Sequence, residues 1–347
     1  MRGFVYRGPG VPAELAELDT PQPGPGEVLV KVGANTVCGT DLRILRGEKS
    51  KGVNLGVVLG HEWAGHVEAV GEGVDGFSAG DLVSMSPSVC CGVCGPCQRG
   101  HEHLCADVHL VGYDINGGLG EYMLIPKKAI ERRQLVVADG GLDPAQLALA
   151  EPISCCLNGM DNYRVEVGDV VLILGAGPIG LIHQQLAAIA GARTVIVSDP
   201  SPTRRATALE LGASRAVDPT SEDLAAIVAE LTDGEGVDVA VLCIGRPELV
   251  NDALTLARKR GRVSIFAGLA GEGWSTIAAN LIHYKELTIV GASNSGRAAF
   301  VRAVRMIESG AIDTKSLITH RFGLSQAAEA IEFVASGEGI KVAVVPD

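Results

Sequence analysis

Aromatic residues are scarce in this 347-residue chain, at 4%, and its 29 Lys and Arg are outnumbered by 41 Asp and Glu, leaving a formal charge of −12. So acidic a balance excludes nucleic acid or an anionic membrane surface as the main partner. No apolar run approaches the length of a membrane span, and the opening "MRGFVYRGPG" has no apolar signal core, so the cytoplasm is the expected compartment. Disulfides are rare there and the cysteines are nine, an odd number, so clustered cysteine points to metal or catalysis. Internal repeats and low-complexity linkers are also absent. What is plentiful is apolar side chains, 47% of residues, and glycine, 45 of them. These indicate an ordered globular protein with many tight turns, long enough for two domains.

Five of the nine cysteines fall in "CCGVCGPCQRGHEHLC", Cys90 to Cys105. With Cys90 set aside, the spacing is Cys91-x2-Cys94-x2-Cys97-x7-Cys105, and the Gly and Pro between them turn the backbone so that sulfurs converge. Four thiolates at about 2.3 Å make a closed tetrahedral zinc site, structural because no position is left for a substrate. A redox pair would need one Cys-x-x-Cys at a helix N-terminus, and an iron–sulfur site would place its fourth Cys differently. His101 and His103 are expected to be solvated loop residues.

A second constellation surrounds "VCGTDLRI", "VVLGHEWAGH" and "LALAEPISCC". Cys38 and His61 are ligands suited to zinc, and Glu62 and Glu151 add carboxylates. His61-Glu62 followed by His66 is one residue too long for a metalloprotease box, and Gly65 is a poor helix residue.

From residue 168 the texture changes. An apolar strand, Val170 to Leu174, runs into Gly175-Ala176-Gly177-Pro178-Ile179-Gly180 and then a helix. The first Gly permits a tight turn, the second a close approach to a pyrophosphate, and the third close helix–strand packing. A second strand ends in Asp199, nineteen residues after Gly180, where a carboxylate accepts from a ribose hydroxyl and repels a 2′-phosphate. NAD is therefore expected over NADP. Strands and helices go on alternating to about residue 290, the rhythm of a doubly wound parallel sheet with ligands at the carboxyl ends of its strands. Cys243, Gly268, Leu269 and Ser293, with Asn294 beside it, occupy such ends and are candidates for lining the nicotinamide. The first 150 residues instead carry short alternating strands broken by Gly and Pro, as in a barrel-like β domain.

Taken in order, the Cys-Gly-Thr-Asp turn, the Gly-His-Glu triplet, the four-Cys lobe, the Glu-Pro pair and the glycine motif resemble the zinc-containing medium-chain alcohol dehydrogenases over essentially the whole chain. The Glu151-Pro152 pair is most similar to the polyol branch, the sorbitol or L-iditol dehydrogenases. The resemblance implies an α/β protein with a GroES-like β-barrel catalytic domain (1–150, structural-zinc lobe 88–106), a Rossmann NAD-binding domain (151–290) and a return to the first domain (291–347). It implies a catalytic zinc held by Cys38, His61 and Glu62, with Glu151 close by or exchanging and Asp41 orienting His61. Thr40 would begin a proton relay, Arg204 would flank the adenosine, substrate and nicotinamide would meet between the domains, and the protein would be a tetramer or dimer. The implied activity is oxidation of a secondary alcohol, a polyol, cyclitol or sugar derivative, to the ketone. Two departures count against sorbitol itself. Ala292-Ser293-Asn294-Ser295 replaces an Arg-Tyr pair, and Ile44 replaces an aromatic near the catalytic Cys. An L-threonine 3-dehydrogenase, a polyol-phosphate dehydrogenase using Arg43, Arg46, Lys49 and Lys51, and a non-catalytic NAD-binding relative are the rival expectations.

Overall fold

A computed structural model describes residues 1–269, 271 and 273–347. They form two compact units, Met1–Ser154 with Asn294–Asp347, and Cys155–Ser293. Among the described residues no helix is long and apolar enough to cross a membrane.

The first unit is built on a seven-stranded, mostly antiparallel sheet. Its central strand, Val28–Thr36, sends Val28, Val30 and Val32 into a core with Trp63, Val67, Val83, Met85 and Met123 while Lys31 stays exposed. Period-two alternation of this kind puts one face of a strand inside. Val28–Thr36 pairs antiparallel with Glu62–Val70 on one side, where Thr36 faces Glu62. On the other side it pairs with the C-terminal strand Lys341–Val345 through Thr36 and Ala343. Three adjacent strands thereby bring residues from the two ends of the chain beside His61. Before that last strand, Arg297–Glu308 and Ala327–Ser336 are helices that the sequence reading left undivided.

The second unit is a six-stranded sheet, parallel throughout. Its order is Arg215–Val217, Thr194–Ser198, Val170–Leu174, Val237–Leu242, Ala257–Ile265 and Thr288–Gly291. The sequence order reverses at Val170–Leu174, the switch point at which doubly wound sheets bind ligands. Five consecutive buried residues make up that strand, as a strand covered on both faces requires. The short strand Arg215–Val217 was not expected, since three residues carry no readable alternation.

Candidate active site and metal centres

Cys38 ends the approach to the short helix Gly39–Leu45, and Asp41 in its first turn accepts from the Cys38 backbone N–H at 2.9 Å. That bond fixes the Asp41 carboxylate, whose other oxygen lies 3.4 Å from His61 Nδ1. Facing Asp41 with Nδ1 leaves Nε2 as the ligating nitrogen of His61. The Cys38 sulfur, a His61 ring nitrogen and a Glu62 carboxylate oxygen all lie within 4.8 Å of one another. His61 and Glu62 are buried.

These residues fit a zinc ion. Thiolate, imidazole and carboxylate are its usual donors, and three of them leave a position for water or substrate. The electrostatics also call for a cation. Burial pushes the His61 imidazolium down, but Asp41 and then Cys38 outweigh it and hold its pKa well above 6.5.

Glu62 has further partners. It accepts from Thr36 Oγ1 and from Lys341 Nζ, the latter 2.7 Å from Oε1, and Lys341 is itself buried. Burial lowers the Lys341 pKa, yet Glu62 first and Cys38 next raise it overall, so the ammonium stays charged. A carboxylate offers about four lone-pair sites, so these bonds leave room for a metal. Glu151, buried in the first turn of the helix Ala150–Tyr163, is not in the close ligand cluster, but its charge reaches Lys341. Thr40 is half-buried in the first turn after Cys38. Sequence reading missed Thr36 and Lys341. The available signal was one Lys heading the otherwise apolar strand "KVAVV".

In the lobe, Cys91, Cys94, Cys97 and Cys105 bring their sulfurs within 4.8 Å of one another. Backbone N–H groups of Cys91 and Asp107 donate to Cys105 Sγ, and those of Val93 and Cys94 to Cys91 Sγ, at 3.2–3.5 Å. Such donors favour thiolate, and backbone bonds from Cys97 and Ala106 lower Cys94 to about 6, whereas burial and then the Cys94 sulfur raise Cys97. Four converging sulfurs with no disulfide among the nine cysteines fit a closed zinc site. At Gly92 φ is +75°, so the turn between the first two sulfurs favours glycine.

In the second unit Gly175 has φ +101°, and a Cβ on Gly180 would sit 1.8 Å from the Gly175 carbonyl oxygen. A Cβ on Gly177 would meet nothing within 4 Å, so there the loop is open to a ligand at the N-terminus of the helix Pro178–Ile189, in which Ile179 is half-buried. Asp199 accepts from Ala176 N–H and Ser201 N–H, both at 2.8 Å. It borders a cavity of about 570 Å³ whose lining includes Gly175, Glu222, Asp223, Ile244 and Asp252. Arg205 is spent on the Asp199 carbonyl and the Asp218 carboxylate, while Arg204, half-buried, stands in the helix that Ser201 caps.

Cys243 follows the strand Val237–Leu242, and burial pushes its thiol pKa up. Leu269 packs against the sheet core, and Gly268 and Ser293 are exposed. Asn294, at φ +59°, belongs to the first unit, where its side chain donates to Ser88 Oγ at 2.6 Å and accepts from Ser295 N–H. Ser295 Oγ in turn meets Ser154 Oγ at 2.5 Å. Ile44 is fully buried in an apolar core with Leu59, Leu324 and Ile331.

Two family models match the chain: the alcohol dehydrogenase GroES-like domain over residues 24–133 and the zinc-binding dehydrogenase over 178–309. The L-threonine 3-dehydrogenase of Pyrococcus horikoshii is 37% identical over 96% of this chain and 95% of its own length. The sorbitol dehydrogenase of Halalkalibacterium halodurans is 31% identical over 96% and 95%. A crystal structure of a zinc-binding dehydrogenase from Sinorhizobium meliloti 1021, bound to NADP, superimposes with a TM-score of 0.92 at 35% identity, covering 99% of both chains.

Proposed function

We propose, for a chain that belongs to the zinc-containing medium-chain alcohol dehydrogenase family, that it oxidises the secondary hydroxyl of a small substrate of the L-threonine type to the ketone, with NAD as hydride acceptor. The observation that carries the chemistry is the Cys38–His61–Glu62 cluster, half-buried at Cys38 and buried at the other two, a donor set that suits zinc and leaves a position for substrate. Bound there, zinc would supply the positive charge that lets a hydroxyl lose its proton near neutral pH. The chain's own residues do the rest. Asp41 orients His61, Lys341 and Thr36 hold Glu62, and the Thr40 hydroxyl, two residues after Cys38, would begin the proton relay. Glu151, whose charge reaches Lys341, is the second carboxylate near the site and would stand close by or exchange into the shell of a bound zinc.

Two features favour the threonine-type reading over the polyol reading suggested by Glu151-Pro152. The L-threonine 3-dehydrogenases of three Pyrococcus species are more similar to this chain, at 36–37%, than the sorbitol enzyme at 31%. The segment that would have to grip polyol hydroxyls, Asn294-Ser295, is bonded to Ser88 and Ser154 instead.

For the cofactor, the carboxylates of Asp199, Glu222, Asp223 and Asp252 around one cavity disfavour a 2′-phosphate, and Arg205 is already paired. NAD is thus the proposed partner, seated on Gly175, Gly177, Pro178, Ile179 and Gly180. Thr288–Gly291 has no outer neighbour among the described strands, an edge suited to pairing with a second copy in a homo-oligomer. Cysteines that form no disulfide suit the reducing cytoplasm. The test is the initial rate of reduced-cofactor formation by zinc-replete protein with L-threonine and with sorbitol.

A further inference from the structure

Lys49 lies on the loop after Gly39–Leu45, close in sequence to Arg43, Arg46 and Lys51. Its surroundings are specific. The Lys49 ammonium donates to Tyr113 Oη at 3.0 Å and stands 4.7 Å from the centre of that ring. Tyr113 is buried, and its ring lies 5.7 Å from the His61 ring. One aromatic side chain therefore fixes the distance between this cation and a ligand of the candidate catalytic centre. The loop is tied at both ends: Lys49 N–H donates to the Arg43 carbonyl and Asn54 N–H to the Tyr113 carbonyl at 2.8 Å.

Charge decides what this arrangement can do. Arg43 has Glu48 at 3.8 Å, whereas among the described residues no carboxylate stands within ion-pair distance of Lys49, although Asp and Glu outnumber Lys and Arg. A phenol oxygen and a ring face hold an ammonium without neutralising it. We propose that Lys49, positioned by Tyr113, is the specificity-determining residue that receives the carboxylate of a hydroxy acid whose hydroxyl is oxidised beside His61. This rests on the threonine-type reading and extends it from a substrate class to a residue. A hydrogen bond to a charged group spans roughly a 10- to 100-fold effect on affinity.

The experiment compares kcat/KM for L-threonine with that for 2,3-butanediol, which has no carboxylate, in wild type, Lys49→Met and Lys49→Arg. The preference for the carboxylate substrate is expected to fall about 10- to 100-fold in Lys49→Met and largely to return in Lys49→Arg. The loss should appear mainly in KM, because the charge is present before and during reaction. Equal losses on both substrates, or an unchanged preference, would make Lys49 a loop staple and overturn the proposal while the dehydrogenase reading stands. Calorimetric binding of L-2-aminobutanoate, which lacks the hydroxyl, separates the two claims. If neither substrate turns over, weaker binding in Lys49→Met still supports the carboxylate site, and equal binding overturns it.

Discussion

Lys341 Nζ lies 2.7 Å from Glu62 Oε1, and both side chains are almost wholly removed from solvent. The pair joins the last strand of the chain to the residue after His61, so it links the fold of the first unit to its metal chemistry. Taking two charges out of water is costly, and removing one partner leaves the other uncompensated.

Lys341→Met is therefore predicted to lower stability by about 3–5 kcal/mol in zinc-free protein. Added zinc should recover more stability in the variant than in wild type, because the metal supplies the missing positive charge beside Glu62. Thermal melts with and without zinc check this. An equal zinc response in both proteins would mean that Lys341 and the metal do not share Glu62.

Cys97→Ala should reduce bound zinc from two ions per chain to one and lower the melting temperature, since binding energy at a closed thiolate site is folding energy. Cys38→Ser should instead leave the lobe loaded and NAD affinity nearly intact while abolishing turnover. Metal analysis with cofactor titration distinguishes the two. Turnover surviving in Cys38→Ser would remove the catalytic-zinc assignment.

Buried His183, bonded to Tyr163 at 2.9 Å, has its pKa pushed down by burial to about 3 from 6.5. The unfolded chain thus binds this proton between those two values and the folded chain does not. Stability from this group is full above pH 6.5 and falls as pH drops, by about 1.4 kcal/mol per unit. His183→Gln should flatten the decline between pH 6.5 and 4.5, measured by denaturant unfolding at each pH. An unchanged slope would show that His183 does not govern it.

The parts legible in the sequence were those written in consecutive residues. The Gly175–Gly180 turn, the apolar strand before it and the Cys91–Cys105 ladder announce themselves because local spacing carries the physics. What escaped were contacts made by topology. Lys341 and Glu62 are 279 positions apart and meet only because the C-terminal strand joins the sheet beside Val28–Thr36. Tyr113 and Lys49, 64 apart, likewise meet through tertiary packing; the sequence offers Lys49 only as one of four cations suited to a phosphate and gives Tyr113 no role. Asn294 sits at a strand end, as expected of a cofactor contact, yet its side chain is taken up by Ser88 in the first unit. Neighbouring charges, rather than residue type, decide such roles.

The proposal that zinc held by Cys38, His61 and Glu62 would ready a threonine-type hydroxyl for hydride transfer to NAD is tested most directly by one measurement. It is the initial rate of absorbance from reduced cofactor, with zinc-replete protein and NAD or NADP, on L-threonine, sorbitol and 2,3-butanediol. L-Threonine with NAD is expected to give the highest kcat/KM, and Cys38→Ser to lose that signal. Faster turnover of sorbitol than of L-threonine, or a rate indifferent to Cys38, would contradict it.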